Sequence, residues 1–188
     1  QYTVQVGVVC SGEDVVNLVA PMYITTPCAV LETPWIEDFS TTPFGSLSCW
    51  NRYNTALPAS GQINAEQLST TTSGWNWTLN SSESYQTLGG EVQRAIHANI
   101  YSTYKYWAVS PSINLTGDEV QQISFSVGAR KYASDVAPTA APDDRFIVMV
   151  SLDNGATWNS ANGIIFADGD SDTEHNFSNL TNQYQRYS

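Results

Sequence analysis

The sequence predicts an all-β protein, built from short strands as a sandwich or jelly roll. Apolar residues alternate with polar ones in several segments, which is the period of a half-buried strand, and turn-forming residues separate these segments. Only residues 91–101 are compatible with a short helix, and their pattern is ambiguous. Many short strands with almost no helical period are typical of two packed sheets.

Two strands are predicted at the start of the chain, residues 2–9 and 15–26. Two strands alone are marginal in water, so they must belong to something larger. The segment YTVQVGVVCSGEDVVNLVAPMYITTPC resembles the last two strands of a fibronectin type III module, in which Tyr2 would take the position of the tyrosine corner. The resemblance implies that residues 1–28 complete a module whose other strands precede them. The alternative is a hairpin that packs on the main domain.

The rest of the chain alternates between apolar runs and polar stretches. Residues 26–34 are a predicted linker, since two prolines restrict its backbone. Residues 54–74 are polar and predicted to be rich in loops. Strands are predicted at residues 35–39, 46–53, 75–79, 104–111, 123–129 and 163–166. In the segment 123–129 the inward-facing residues are predicted to be Ile123, Phe125, Val127 and Ala129.

The segment DDRFIVMVSLDNGATW, residues 143–158, predicts a hairpin. Phe146, Val148 and Val150 share one face of its first strand. Asp153-Asn154-Gly155 supplies the turn, because Asn and Gly tolerate the positive φ of a tight turn. Thr157 and Trp158 then begin the return strand.

Three segments in order resemble the jelly-roll domains called cleaved-adhesin or choice-of-anchor J domains, which are related to MAM domains. They are WIEDF followed by CW (residues 35–39 and 49–50), YWAVSPSINL (residues 106–115) and the hairpin segment. The resemblance implies a jelly-roll β-sandwich over residues 29–188. Such domains usually continue past a segment like QYQRYS, residues 183–188, so we expect the last strands to be absent here. The chain would then be a segment of a longer multidomain surface protein.

Composition limits the partners. The chain has 188 residues, with 18 acidic and 7 basic side chains and a net charge of −11. This balance argues against nucleic acid and anionic membranes as partners, because phosphate binding needs clustered Lys and Arg. No apolar run approaches 18 residues, so no membrane span is expected. The low charged fraction of 13% fits a secreted, extracellular protein, and the start at Gln1 suggests a processed piece without its leader.

No catalytic motif is recognisable. The sequence contains no GxSxG, no HExxH and no phosphate-binding glycine loop. Neither His97 nor His175 has a spacing that joins it to a serine, so each is interpreted as a core or surface residue. We therefore expect that the chain is not an enzyme.

Acidic pairs lie at two predicted strand ends: Glu37 and Asp38, and Asp143 and Asp144. The related jelly rolls commonly hold a structural Ca²⁺ near such positions, with backbone carbonyls completing six to eight oxygen ligands. The resemblance therefore implies a calcium site at these four carboxylates; the alternative is that they are solvated strand ends. A weaker candidate is formed by Asp168, Asp170 and Asp172, which alternate as in half of a calcium loop but lack the Gly and Glu of an EF-hand.

Aromatic side chains make up 12% of the residues. Trp75, Trp77 and Tyr104 are candidates for stacking on a sugar or contacting a protein partner, although packing in a sandwich core is the commoner role.

Three cysteines allow one internal disulfide. In a hairpin of residues 2–9 and 15–26, Cys10 lies at the turn and Cys28 past the opposite end. At ~3.3 Å per residue the two would be roughly 30 Å apart, beyond the ~7 Å between Cα atoms that a disulfide spans. We therefore predict no Cys10–Cys28 bond. Cys28 and Cys49 flank the first predicted strand of the jelly roll and are the predicted pair.

These observations favour a non-catalytic adhesion or ligand-binding module of a secreted bacterial surface protein. Its ligand would be a glycan or a protein at a cell surface, and its other partners would be modules of the same longer chain. One alternative is an accessory module that positions substrate for a larger secreted protease or glycan hydrolase. Another is a purely structural spacer.

Overall fold

The structure of the chain is a computed structural model. It describes residues 2–4, 7–9, 16–18, 22–24, 28–39, 49–71, 77–79, 87–88, 91–92, 95–101, 103, 105–115, 117, 120–139, 141, 143–168 and 175–188. Within 2–24 and at residues 78–79, 87–88 and 91–92 only the backbone is described.

The described residues form short strands and three 3-10 helices, with no α-helix among them. The strands are β1 (Tyr2–Val4), β2 (Gly7–Val9), β3 (Val16–Leu18), β4 (Met22–Ile24), β5 (Leu31–Glu32), β6 (Asn51–Asn54), β7 (Gln62–Asn64), β8 (Thr78–Leu79), β9 (Thr87–Leu88), β10 (Glu91–Val92), β11 (Ile96–His97), β12 (Tyr106–Val109), β13 (Ile113–Asn114), β14 (Phe125–Val127), β15 (Arg145–Met149), β16 (Thr157–Asn159), β17 (Gly163–Ala167) and β18 (Gln185–Tyr187). The 3-10 helices are η1 (Ala65–Gln67), η2 (Ser160–Asn162) and η3 (Phe177–Asn179). The predicted all-β class is confirmed, and β10 and β11 occupy the segment that was compatible with a helix.

The strands pair two by two. Antiparallel pairs join β1 with β4, β2 with β3, β6 with β12, β7 with β16, β8 with β11, β9 with β10, β14 with β18 and β15 with β17. The pair β5–β13 is parallel. Several pairs join segments far apart in sequence, for example β6 with β12 and β7 with β16.

The first 24 residues contain the predicted antiparallel pairing of the two N-terminal segments. Tyr2 pairs with Ile24 at one end of this ribbon, and Val9 pairs with Val16 at the other. The register differs by one residue between the two halves, because two residues separate β1 from β2 while three separate β3 from β4.

The predicted strand at residues 35–39 is wrong. These residues are not extended in a ladder, and the strand β5, which pairs with β13, lies instead within the predicted linker 26–34. Phe39 has a positive φ of 57°, and its N–H donates to Glu37 Oε1 at 2.8 Å. A local hydrogen bond from an acidic side chain to the backbone competes with strand pairing.

The predicted hairpin is correct in its first strand and its turn but wrong in its partner. Asn154 and Gly155 have the expected positive φ, 56° and 81°. However, β15 pairs along all five residues with β17, whereas β16 pairs with β7. The strand β17 is apolar and has five residues, the same length as β15. Trp158 of β16 instead packs with Ile63, its partner residue in β7.

The buried apolar side chains form two clusters. The first core consists of Ile63, Leu68 and Trp158, with further half-buried side chains packed against them. The second core consists of Phe166, Phe177 and Leu180, also with a half-buried rim.

The burial of two segments was not fully predicted. The described part of the segment 54–74 is mostly irregular, as expected, but it also carries β7 and supplies Ile63 and Leu68 to the first core. Ile123, expected to face inward, is 51% exposed, because β14 begins only at Phe125. Phe125, Val127 and Ala129 do pack against the second core, as the alternation predicts.

Candidate binding cleft

A large open cleft of about 3480 Å³ is lined by most of the described residues, including side chains of both cores such as Trp158 and Phe177. Residues of β6, β12, β14 and β15 line it, together with parts of the segments 28–39 and 95–101. A concave surface of this kind is where a module without a deep pocket can hold an extended ligand.

Most of the exposed large apolar side chains in the described part of the chain lie along the cleft. Of the ten that are exposed there, eight line it: Val30, Ile36, Ile100, Tyr101, Leu115, Ile123, Tyr132 and Leu152. Val120 and Val136 are the two outside it. Contiguous exposed apolar surface marks interaction sites more often than scattered single residues do.

Trp77, one of the three predicted ligand-binding aromatics, lines the cleft and is half-buried. Its Nε1 donates to the carbonyl oxygen of Tyr106 at 3.1 Å, and its ring lies 6.1 Å from the ring of Phe146. The contacts with Tyr106 and Phe146 hold the indole ring of Trp77 in place, and only part of the ring faces the cleft. Trp75 and Tyr104, the other two, lie outside the described residues.

Arg130, His97 and Tyr184 line the same cleft and influence each other electrostatically. Burial lowers the pKa of His97, and the positive charge of Arg130 lowers it further. Burial raises the pKa of Tyr184, while Arg130 acts in the opposite direction. The basic pair Arg130-Lys131 in so acidic a sequence was the signal that could have drawn attention to this part of the chain.

The four carboxylates of the predicted calcium site, Glu37, Asp38, Asp143 and Asp144, all line the cleft. Asp144 Oδ2 accepts the N–H of Ala141 at 2.7 Å, and Glu37 is engaged with Phe39 as described above. Among the described residues no group of three or more His, Cys, Asp or Glu side chains could hold a metal ion. These carboxylates therefore do not form a site by themselves, and a Ca²⁺ here would depend on backbone carbonyls for most of its ligands.

In the weaker acidic candidate, Asp168 Oδ1 accepts the N–H of Ser178 at 2.8 Å, at the start of η3. Asp170 and Asp172 lie outside the described residues. The part of this segment that is described thus has a local structural role.

The expected disulfide between Cys28 and Cys49 is present, with 5.5 Å between the two Cα atoms. Because Cys28 is bonded to Cys49, the predicted lack of a Cys10–Cys28 bond is confirmed; Cys10 itself is outside the described residues. The bond ties the segment before β5 to the start of β6.

The carboxylate of Asp153 organises the turn between β15 and β16. Its Oδ1 accepts from Ser151 Oγ at 2.7 Å and from the N–H of Thr157 at 2.9 Å, and its Oδ2 accepts from Thr157 Oγ1 at 2.6 Å. These hydrogen bonds, led by that of the Thr157 hydroxyl, lower the pKa of Asp153 to about 2. Sequence reasoning found the turn but not this network, since turn propensity says nothing about which side chain closes it.

No helix in the described part of the chain is both long enough and apolar enough to cross a bilayer. No family model matches the sequence, and no curated protein or solved structure was found to match it.

Proposed function

We propose that the chain is a non-catalytic, extracellular adhesion or ligand-binding β-sandwich module, and that the cleft is its binding surface. The observation that carries this proposal is the concentration of exposed apolar and aromatic side chains along the cleft. Tyr101 and Tyr132, 73% and 62% exposed, offer ring faces to a glycan or a protein ligand. The disulfide is compatible with an oxidising, extracellular environment.

The resemblance to choice-of-anchor J domains supports a place in a secreted bacterial surface protein with further modules in the same chain. On this proposal, affinity comes from many shallow contacts along a concave face. The net charge of −11 argues against nucleic acid as a partner, because a continuous phosphate backbone needs more clustered bases than the seven of this chain.

Binding measurements on the whole chain test the proposal. A glycan array and an immobilised panel of extracellular matrix proteins are screened first, and binding is then compared in Tyr101→Ala and Tyr132→Ala variants. Val136→Ala is the matched control, because Val136 is 53% exposed but lies outside the cleft. Loss of binding in the two tyrosine variants alone supports the proposal. A folded protein that binds nothing in either screen would instead be a structural spacer.

We also propose a structural Ca²⁺ near Glu37, Asp38, Asp143 and Asp144, supported by the chemistry of the donors, since carboxylates are preferred calcium ligands. A cation that binds only the folded form stabilises it by ~2.7 kcal/mol at a hundredfold excess over its dissociation constant. Calcium should therefore raise the melting temperature, and Glu37→Gln or Asp144→Asn should abolish the rise. Superimposable melting curves with chelator and with millimolar Ca²⁺ would refute it.

A further inference from the structure

Basic side chains are distributed unevenly between the cleft and the rest of the described surface. Five of the six described bases line the cleft, namely Lys105, Arg130, Lys131, Arg145 and Arg186, and Arg52 is the sixth. Of the nine described acids, four line the cleft and five do not. The cleft therefore carries five positive and four negative described side chains, on a chain whose net charge is −11.

Three of the five bases lie apart from the acids along the chain. Arg130, Lys131 and Arg186 belong to the β14–β18 ribbon and the turn that follows β14, whereas the four acids occupy the segments 37–38 and 143–144, the second of which is followed by Arg145. Arg186 lies opposite Ser126 in this ribbon. The chain after β14 stays beside the segment before β18, because the N–H of Ala129 donates to the carbonyl oxygen of Thr181 at 2.8 Å.

The outward face of the ribbon carries these bases. Phe125, Val127 and Tyr187 pack against the second core, so Ser126 and Arg186, which alternate with them, point away from it and are exposed. Arg130 follows β14 and is half-buried, and Lys131 is exposed.

The phenol of Tyr184 and the imidazole of His97 line the cleft together with these bases. The positive charge of Arg130 reaches both Tyr184, just before β18, and His97, and all three line the cleft. Residues 131–136 form a tight turn after β14, in which the N–H of Lys131 donates to the carbonyl oxygen of Val136 at 3.0 Å. This hydrogen bond fixes the backbone that carries Lys131. The acid of this turn, Asp135, is not among the residues that line the cleft.

We infer that the ligand of the cleft is an anionic glycan, whose carboxylate or sulfate groups bind Arg130, Lys131 and Arg186. The inference rests on the proposed function and narrows its ligand class. Guanidinium groups bind carboxylate and sulfate oxygens in a planar, two-point geometry, and a neighbouring phenol supplies a ring face for the sugar. On an otherwise acidic protein, a local cluster of bases also directs an anionic polymer to this one face.

The test measures binding of three polysaccharides to the whole chain: polygalacturonate with carboxylates, dextran sulfate with sulfates, and neutral dextran. Binding to at least one anionic polymer and not to dextran is expected, and it should weaken as salt rises, because screening acts on exposed charges. The polymer that binds identifies the anionic group. This measurement needs no variant.

Variants then locate the site. Arg130→Gln, and the double variant Lys131→Gln/Arg186→Gln at exposed positions, should each weaken binding by about tenfold or more, the size of one charged hydrogen bond. Val120→Glu and Ser69→Glu/Val120→Glu match these changes in net charge at exposed residues outside the cleft, and they should leave binding within about twofold.

The outcomes separate the inference from the proposed function. Salt-independent binding of a neutral glycan or a protein that still requires Tyr101 would overturn the inference and keep the proposed function. If the glutamine variants and the glutamate variants lost equal affinity for the anionic polymer, the inference would also be overturned, because binding would then depend on net charge alone. The failure of every ligand to bind would overturn both.

Discussion

The first core and the second core differ in the side chains that fill them and in where those side chains come from. The first core joins Trp158 of β16 to Ile63 and Leu68, which lie in a polar part of the sequence. The second core takes its three buried members from a short stretch near the C-terminus, Phe166, Phe177 and Leu180. One core therefore depends on contacts between distant segments, and the other on a compact group of neighbours.

Aromatic contacts distinguish the second core further. The ring of Phe166, which is 0% exposed, lies 4.8 Å from the ring of Tyr187 and 5.6 Å from that of Phe146. Its contact with Tyr187 is edge-on, at an interplanar angle of 83°. His175 also packs edge-on against Phe166, at 5.3 Å. Offset and edge-to-face ring pairs contribute about 0.5–1.5 kcal/mol beyond the area they bury.

The contrast suggests that the two cores can be weakened separately. Hydrogen-bonded turns border the first core, and β6, which packs against it, is connected by the Cys28–Cys49 bond to the segment before β5. The second core is held together by packing between aromatic rings. Each experiment below either separates the two cores or shows that they unfold as one.

The largest effect is expected for Phe166→Ala, which should lower the free energy of unfolding by about 3–5 kcal/mol, through lost transfer energy and the cavity left behind. Ile63→Ala, at a residue 1% exposed in the first core, should cost about 2–5 kcal/mol. Denaturant titration measures both losses. Hydrogen exchange should then show faster opening of β15 and β17 in the first variant, and of β7 and β16 in the second. The same pattern of exchange in both variants would mean a single cooperative core.

Removal of the Cys28–Cys49 bond should have the next largest effect. The bond closes a loop with a sequence separation of 21, for which chain entropy gives about 3 kcal/mol. Because the bond lies at the start of β6, and Tyr53 of β6 packs against the first core, the Cys28→Ser/Cys49→Ser variant should loosen β6 and β7 more than β17. Exchange rates per strand, compared with the oxidised wild type, measure this. An equal rise in exchange rate in β6, β7 and β17 would mean that the bond does not stabilise the first core in particular.

The smallest effect is expected for Asp153→Asn at the turn that delivers Trp158. The pKa of Asp153 is lowered from 3.8 to about 2, so its carboxylate stabilises the fold fully above pH 3.8, and this contribution is lost as pH falls through about 2. The variant should therefore melt below the wild type at pH 6, and the difference should shrink towards pH 2. Glu66→Gln, at an exposed acid of η1, is the control. A difference that stays constant with pH would mean that the charge of Asp153 does not stabilise the turn.

The sequence predicted local features well and partners of strands poorly. Asn154 and Gly155 took their positive φ because turn chemistry is decided within four residues. The alternation of residues 145–149 identified β15, yet it could not choose between β16 and β17 as its partner, since alternation describes faces and not neighbours. Ile63 and Leu68 were hidden because isolated apolar residues among polar ones give no period.

The candidate site was predictable only in part. Trp77 and the two acidic pairs were identified from sequence, and all of them line the cleft. The group around Arg130 was not, because His97, Arg130 and Tyr184 come from three separate segments. Their proximity depends on strand pairing, such as that of β14 with β18, which no local pattern specifies.

The turn of Asp153 also bears on the order in which the chain folds. In this turn the Gly155 N–H donates to Ser151 Oγ and the Thr157 N–H donates to Asp153 Oδ1, and each hydrogen bond spans four residues. By contrast, Asn159 of β16 contacts Gln62 of β7 across 97 residues. Closing the longer loop costs about 3 kcal/mol more in chain entropy, so the turn should form first and β7 should dock late. In folding kinetics, Asp153→Ala should slow folding, with a φ-value near 1, while Ile63→Val should mainly accelerate unfolding. The reverse assignment would mean that the distant strands meet before the turn closes.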